Sequence, residues 1–216
     1  MDGTRIKTDP AFIRTVENNS EFASAAKAGK LLRKAVRAFI LGSADHRVTS
    51  RLTALMMKIK QLDATSIRGL RTVGTAIVLP SAMGLLQGFN FNKRSLLGEV
   101  LFKPYTINAT TGEIDITAFF AANDIKMPTG ATHVSLTSCW AKVDFVNNVY
   151  NVQTSPATNV AKTAAAANVS LIPTAAATGT GTNLYMLKVE FFQMVNTVQY
   201  SLKNGSYNAV AIVQVS

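Results

Sequence analysis

Apolar residues recur with helical spacing from Asn18 to Leu62. Phe22, Ala25, Ala26, Gly29, Leu32, Val36, Phe39 and Ile40 follow one another at three- and four-residue steps. Lys27, Lys30, Lys34 and Arg37 form a second stripe roughly 130° away. Asn18, three residues before Glu21, reads as a cap that opens this helix. Gly42-Ser43 ends it, and Asp45 is the expected N-cap of a second helix. The apolar set of that helix is Val48, Leu52, Leu55, Met56, Ile59 and Leu62. Arg47, Arg51 and Lys58 lie off this stripe and extend the positive face. The pattern predicts a basic helical hairpin. Each large apolar side chain that is fully buried contributes about 1.5–3 kcal/mol, so the second helix needs a partner surface to be stable.

The period changes after Phe89. Tyr105 and Ile107, then Ile114 and Ile116, alternate on either side of Thr111-Gly112, which predicts a hairpin of half-buried strands. A second strand pattern covers His133 to Phe145. Its alternation falters near Cys139, where a bulge is expected, and Asn147-Asn148 marks a turn. Residues 154–182 are rich in Thr, Ala, Asn and Gly around an apolar island at Val169, Leu171 and Ile172. Leu184 to Val195 is a long apolar run, and Asn204-Gly205 is the favoured dipeptide of a two-residue hairpin turn. The fold class read from these patterns is α+β: an N-terminal basic helical hairpin followed by an antiparallel β-sandwich, jelly-roll-like domain. The expected divisions are an extended arm over 1–17, a helical region over 18–74, a connector with short helices over 75–104, and the β-sandwich over 105–216.

Charge sharpens this division. Of the 216 residues, the first 77 hold 14 of the 22 Lys and Arg but only 6 of the 12 acids, so the excess positive charge belongs to the N-terminal third. A localised cationic face suits nucleic acid, anionic lipid or an acidic protein, and equally suits a solvated helix. The single cysteine, Cys139, rules out an intrachain disulfide. The N-terminal residues have no apolar signal-like core, and no uninterrupted apolar run reaches membrane-spanning length, so a cytoplasmic location is expected.

Little in the chain points to catalysis. His46 and His133 stand apart from any Cys or carboxylate cluster, so no metal-ligand spacing exists and no metal or cofactor is expected. Cys139 has no histidine partner. Glu113, Asp115 and Asp124 read as turn charges, and Thr178 to Asn183 as a turn in place of a phosphate loop, because neither a flanking strand–helix pair nor a GKT-type lysine accompanies it. Phe119-Phe120 and Phe191-Phe192 read as sheet anchors. They lack the surrounding cations of a base-stacking platform.

Four segments, KTDPAFIRTVENNSEFASAAKAGKLLRKA, SRLT with GLLQGFNFN, VEFFQMVN, and YSLKNGSYNAVAIVQV, resemble in order a group of uncharacterised proteins of Bacteroidetes bacteria. The resemblance implies the helical-then-β order and a bacterial origin. It transfers no activity, cofactor or site residue.

Three function classes follow, none of them enzymatic. The first is a self-assembling structural subunit, a homo-oligomer forming a filament, ring or shell. It would use the arm, strand edges and the apolar residues Phe22, Leu32, Val36, Phe39, Leu52, Leu55, Met56 and Ile59 as contacts. The second is a nucleic-acid-binding protein whose phosphate contacts come from Lys27, Lys30, Lys34, Arg37, Arg47 and Arg51. The third is a carbohydrate- or peptide-binding module built on the Thr- and Asn-rich loops.

Overall fold

The computed structural model describes residues 8–216. Asp9 is extended, with φ −82° and ψ 122°, and its Oδ1 accepts from the Ala11 N–H at 3.0 Å. Pro10 follows at the first position of a 3-10 turn, Pro10–Phe12, which runs into helix α1, Ile13–Ala35. An aspartate cap and a proline at N1 are sufficient start signals, so the helix begins ahead of the expected cap at Asn18. Asn18 and Glu21 lie inside α1. The expected extended arm is accordingly reduced: residues 13–17 are helical, and residues 1–7 lie outside the described residues.

Val36, at φ −97° and ψ 12°, interrupts the helix before the single turn α2, Arg37–Ile40. Gly42 then turns the chain with φ 74°. Helix α3, Val48–Lys60, has Arg47 at its N-cap position, not Asp45. Asp45 instead accepts the Arg47 N–H on Oδ1 at 2.7 Å, forming a turn just ahead of the helix. Helices α1 and α3 pack closely at Gly29, where an added Cβ would lie 3.7 Å from Leu52 Cγ, Met56 Cγ and Thr53 N. Short helices follow at Val73–Ala76 (α4), Pro80–Leu86 (α5), Leu97–Val100 (α6) and Ala121–Asp124 (α7).

The strands form two antiparallel sheets. The smaller has β1 (Thr106–Ile107), β2 (Ile114–Phe119) and β6 (Ala167–Leu171) in the order β1-β2-β6. The larger is built on two long partners, β3 (His133–Asp144) and β7 (Thr182–Val195), in register from His133↔Phe192 to Val143↔Thr182. Two short strands share the outer side of β3: β4 (Val149–Thr154) and β5 (Thr158–Ala161). Two more share the outer side of β7: β8 (Val198–Ser201) and β9 (Ala209–Val215).

Several expectations change here. The Cys139 region has no bulge, because Cys139 pairs in register with both Met186 and Thr154. Alternation falters there because β3 is buried on both faces, which removes the need for a polar side. The register shifts instead at Tyr185/Met186 and at Ile116/Phe119. Asn204-Gly205 does not join paired strands, since β8 and β9 both pair with β7. The tight hairpin turn is Asn196-Thr197, with φ 48° and 67° between the paired Val195 and Val198.

Side chains alternate between two apolar clusters. Cys139, Ala141, Val143, Leu184, Met186, Val210 and Ile212 face the helices and share one cluster with Leu32, Val36, Phe39, Leu52, Met56 and Ile59. From the opposite face, Val134, Leu136, Leu187, Val189 and Phe191 meet Ile114, Ile116, Phe119, Val169 and Leu171 of the small sheet. The order of layers is helices, large sheet, small sheet. The division expected between helical region and β domain therefore runs through a shared core. Gly74, expected near a boundary, is tucked inside α4 against the β3–β4 turn, where a Cβ would lie 2.8 Å from Val146 Cγ2.

This packing corrects the assembly surface. Leu32, Val36, Phe39, Leu52, Met56 and Ile59 are core side chains of the chain itself. Leu55 packs against the same cluster, and of the eight residues only Phe22, 55% exposed, stands out in solvent. Helix α1 and the short helices α4 and α5 supply the partner surface that α3 needs, within the core shared with the large sheet.

Candidate polyanion interface

Burying one face of α1 fixes what the other face presents. Lys27, Lys30, Lys34 and Arg37 are all exposed, and none makes an ion pair among the described residues. Over these residues the chain rises about 15 Å.

The acids explain why this charge is uncompensated. Between Glu21 and Glu99 the chain has two carboxylates, Asp45 and Asp63, and 13 Lys and Arg. Both carboxylates are turned inward. Asp63 is buried, and its Oδ1 accepts from Thr65 N–H (3.1 Å), Thr65 Oγ1 (3.0 Å) and Ser66 N–H (3.0 Å), while Oδ2 accepts from Thr72 N–H (3.1 Å). Burial pushes its pKa up, but the hydrogen bonds from Ser66, Thr72 and Thr65 outweigh this and hold it far below the usual carboxylate range. Asp45 Oδ2 accepts from Lys93 N–H at 2.7 Å and from the Arg51 guanidinium at 2.7 Å. Burial raises its pKa, and the Lys93 and Arg47 backbone donors together with the Arg51 charge lower it by more.

Arg51 is thereby removed from the candidate contacts. Besides Asp45 it donates to the Asn90 carbonyl at 2.8 Å and the Phe91 carbonyl at 3.1 Å, and its guanidinium lies 5.0 Å over the Phe89 ring. A guanidinium held by three acceptors and a ring is a structural clamp between α3 and the 89–93 segment. The other five candidates, Lys27, Lys30, Lys34, Arg37 and Arg47, stay exposed and have no ion-pair partner among the described residues. Sequence reasoning missed three more exposed cations in the same acid-poor span that have no ion pair among the described residues: Lys58, which it noted only as surface charge, and Lys93 and Arg94. The spacing of the carboxylates was a usable signal for all three.

The residues considered for chemistry are dispersed. Cys139 is buried under the helices, and its thiol pKa is pushed up to about 12 by burial, only partly countered by Lys188. His133 Nδ1 lies 2.9 Å from Thr132 Oγ1. Glu113 bonds Ser170 across the small sheet, and Asp124 caps its own turn by accepting from Phe120 N–H at 2.7 Å. Phe119 and Phe191 are core side chains. No group of three or more His, Cys, Asp or Glu among the described residues is placed to hold a metal ion.

The fold and this surface define an α+β protein with a cationic helical layer laid on an antiparallel sheet. Compared with family models, curated proteins and solved structures, the chain matches none. Among the described residues, no helix is long and apolar enough to cross a membrane.

Proposed function

We propose that the protein binds a polyanion, a nucleic-acid phosphate backbone, through the exposed face of α1 and α2. One observation carries this reading: eight exposed Lys and Arg between residues 22 and 98 have no ion-pair partner among the described residues, because the only two carboxylates in that span are turned inward. The four exposed cations from Lys27 to Arg37 extend over about 15 Å, a length that matches about four phosphates of one strand. Recognition is by charge and not by base, since no aromatic side chain interleaves the stripe. The facing sheets act in this reading as a β-sandwich that stiffens the helical layer.

Fluorescence anisotropy with a labelled oligonucleotide tests it. Four phosphate contacts give a slope of log affinity on log salt of about −3 to −4. Lys30→Glu with Lys34→Glu flattens that slope and lowers affinity at least about tenfold. An oligonucleotide that is not retained at low salt, or is retained equally by the charge-reversed protein, sinks the proposal.

A second reading, assembly into a homo-oligomer, is supported by a different part of the fold. β8 pairs on one side only among the described residues, and Val195, Val198 and Tyr200 are exposed beside its open edge. An edge strand with exposed apolar side chains favours strand addition from another copy. Size-exclusion light scattering that gives a strict monomer at high concentration excludes this route to a filament, ring or shell.

A further inference from the structure

The loop that ends α2 and the loop that follows β8 meet backbone to backbone: a Cβ added at Gly205 would overlap the Gly42 carbonyl oxygen. With Asn92 they line an open cavity of about 200 Å³, and a cleft of about 220 Å³ shares Asp45, His46 and Arg94 with it. Arg47 and Lys93 line the cleft. We propose that this cavity binds a phosphate dianion, free or as a terminal phosphomonoester.

Three observations point to an anion. Ser43, 2% exposed, lines the cavity, and its Oγ has no hydrogen-bond partner among the described residues. A buried hydroxyl without a partner is costly, and an acceptor in the cavity removes that cost. Arg47, Lys93 and Arg94 are exposed, and none uses its side chain in a hydrogen bond or ion pair within the described chain. Finally, Asp45, the one carboxylate of the lining, is already committed. Oδ1 accepts from Arg47 N–H at 2.7 Å, and Oδ2 accepts from Lys93 N–H and the Arg51 guanidinium, each at 2.7 Å.

Asp45 therefore organises the site more than it opposes it. Its charge is balanced by Arg51, and its two backbone bonds hold residues 47 and 93 on one carboxylate, so that Arg94 lines both the cavity and the adjoining cleft while Arg47 and Lys93 line the cleft. Arginine's planar fork suits the paired oxygens of a phosphate, and Ser43 Oγ supplies a donor from the cavity wall. The volume is several times the share of one water, about 30 Å³. It holds a tetrahedral oxyanion with part of its hydration and leaves the rest of an ester outside.

This site uses residues other than the α1 stripe, so it stands or falls separately from polyanion binding. Titration calorimetry and ³¹P NMR of the full chain with inorganic phosphate, at constant ionic strength held by chloride, are expected to show saturable one-to-one binding. Arg94→Ala, at an exposed position, weakens it about tenfold, as loss of a charge-assisted bond does. Ser43→Ala weakens it several-fold with circular dichroism unchanged, and Lys30→Glu with Lys34→Glu leaves it unaltered. Displacement of phosphate by a dinucleotide carrying a 5′-phosphate, but not by its unphosphorylated form, assigns the site to a nucleic-acid end; displacement by neither assigns it to free phosphate. Absence of saturable phosphate binding, or binding equal in wild type, Arg94→Ala and Ser43→Ala, overturns the proposal.

Discussion

Lys60 at the end of α3 places its ammonium directly on the carboxylate of Glu21 in α1, and both residues are only 4% exposed. The other oxygen of Glu21 accepts from Gly69 N–H at 2.8 Å, so one buried carboxylate ties two helices to the segment that leaves them. Removing one partner of such a pair leaves an uncompensated charge inside the protein. Lys60→Ala is expected to destabilise by about 3–5 kcal/mol, read from urea unfolding. A loss below about 1 kcal/mol, the scale of a surface pair, would show that water reaches the site.

Leu52 lies fully buried against α1 at Gly29, in the core that the helices share with the large sheet. Leu52→Ala should cost about 2–5 kcal/mol, and the thermal midpoint should fall by the same amount at every protein concentration. A midpoint that recovers as concentration rises would return this residue to an interface between copies.

Gly29 works in the opposite direction. A Cβ there meets its neighbours at 3.7 Å, ordinary contact, and the backbone is helical, so Gly29→Ala gains up to about 1 kcal/mol of helix propensity without a clash. Gly112 is the contrast: its φ is 74°, and a Cβ would stand 2.6 Å from Trp140 Cε3. Differential scanning calorimetry should show Gly29→Ala melting higher than wild type and Gly112→Ala melting lower.

Asp144 carries the β3–β4 turn. Its Oδ1 accepts from Val146 N–H (2.9 Å) and Asn147 N–H (2.8 Å), and its Oδ2 from Asn147 Nδ2 (2.8 Å) and Thr180 Oγ1 (2.7 Å). These bonds, the Asn147 backbone donor foremost, lower its pKa from 3.8 to about 2. A depressed folded pKa contributes stability that is complete above 3.8 and is lost as pH falls through about 2. The stability gap between wild type and Asp144→Asn should therefore be constant near neutrality and close between those values. Urea midpoints that keep the same gap at pH 2 would contradict this.

Much of the fold was legible because its signals are local. The stripe from Phe22 to Ile40, the break at Gly42, the hairpin around Thr111-Gly112 and the strand from Leu184 to Val195 depend on periodicity and turn residues within a few positions of one another. The start of α1 was misplaced because two cap signals compete, and Asp9-Pro10 prevails over Asn18. The hairpin turn went to Asn204-Gly205 on composition alone; both sites have positive φ, but only the strands on either side of Asn196-Thr197 pair with each other. Of the candidate contacts, Lys30 and Lys34 could be placed on a helix surface from spacing. Arg51 could not be separated from them, since its partners Asp45, Asn90 and Phe91 converge only in the folded chain.

The sequence by itself determined that the chain has amphipathic basic helices followed by strands, and that acids are scarce between Glu21 and Glu99. Those properties belong to the order of residues. Tertiary structure decided which surface covers the apolar stripes, because a stripe records that it must be buried and not against what. Once the shared core took Leu32, Leu52, Met56 and Ile59, the exposed cations of the helical layer faced outward, and Asp45, held by the Lys93 backbone, and Asp63, held by Thr65, Ser66 and Thr72, could no longer neutralise them.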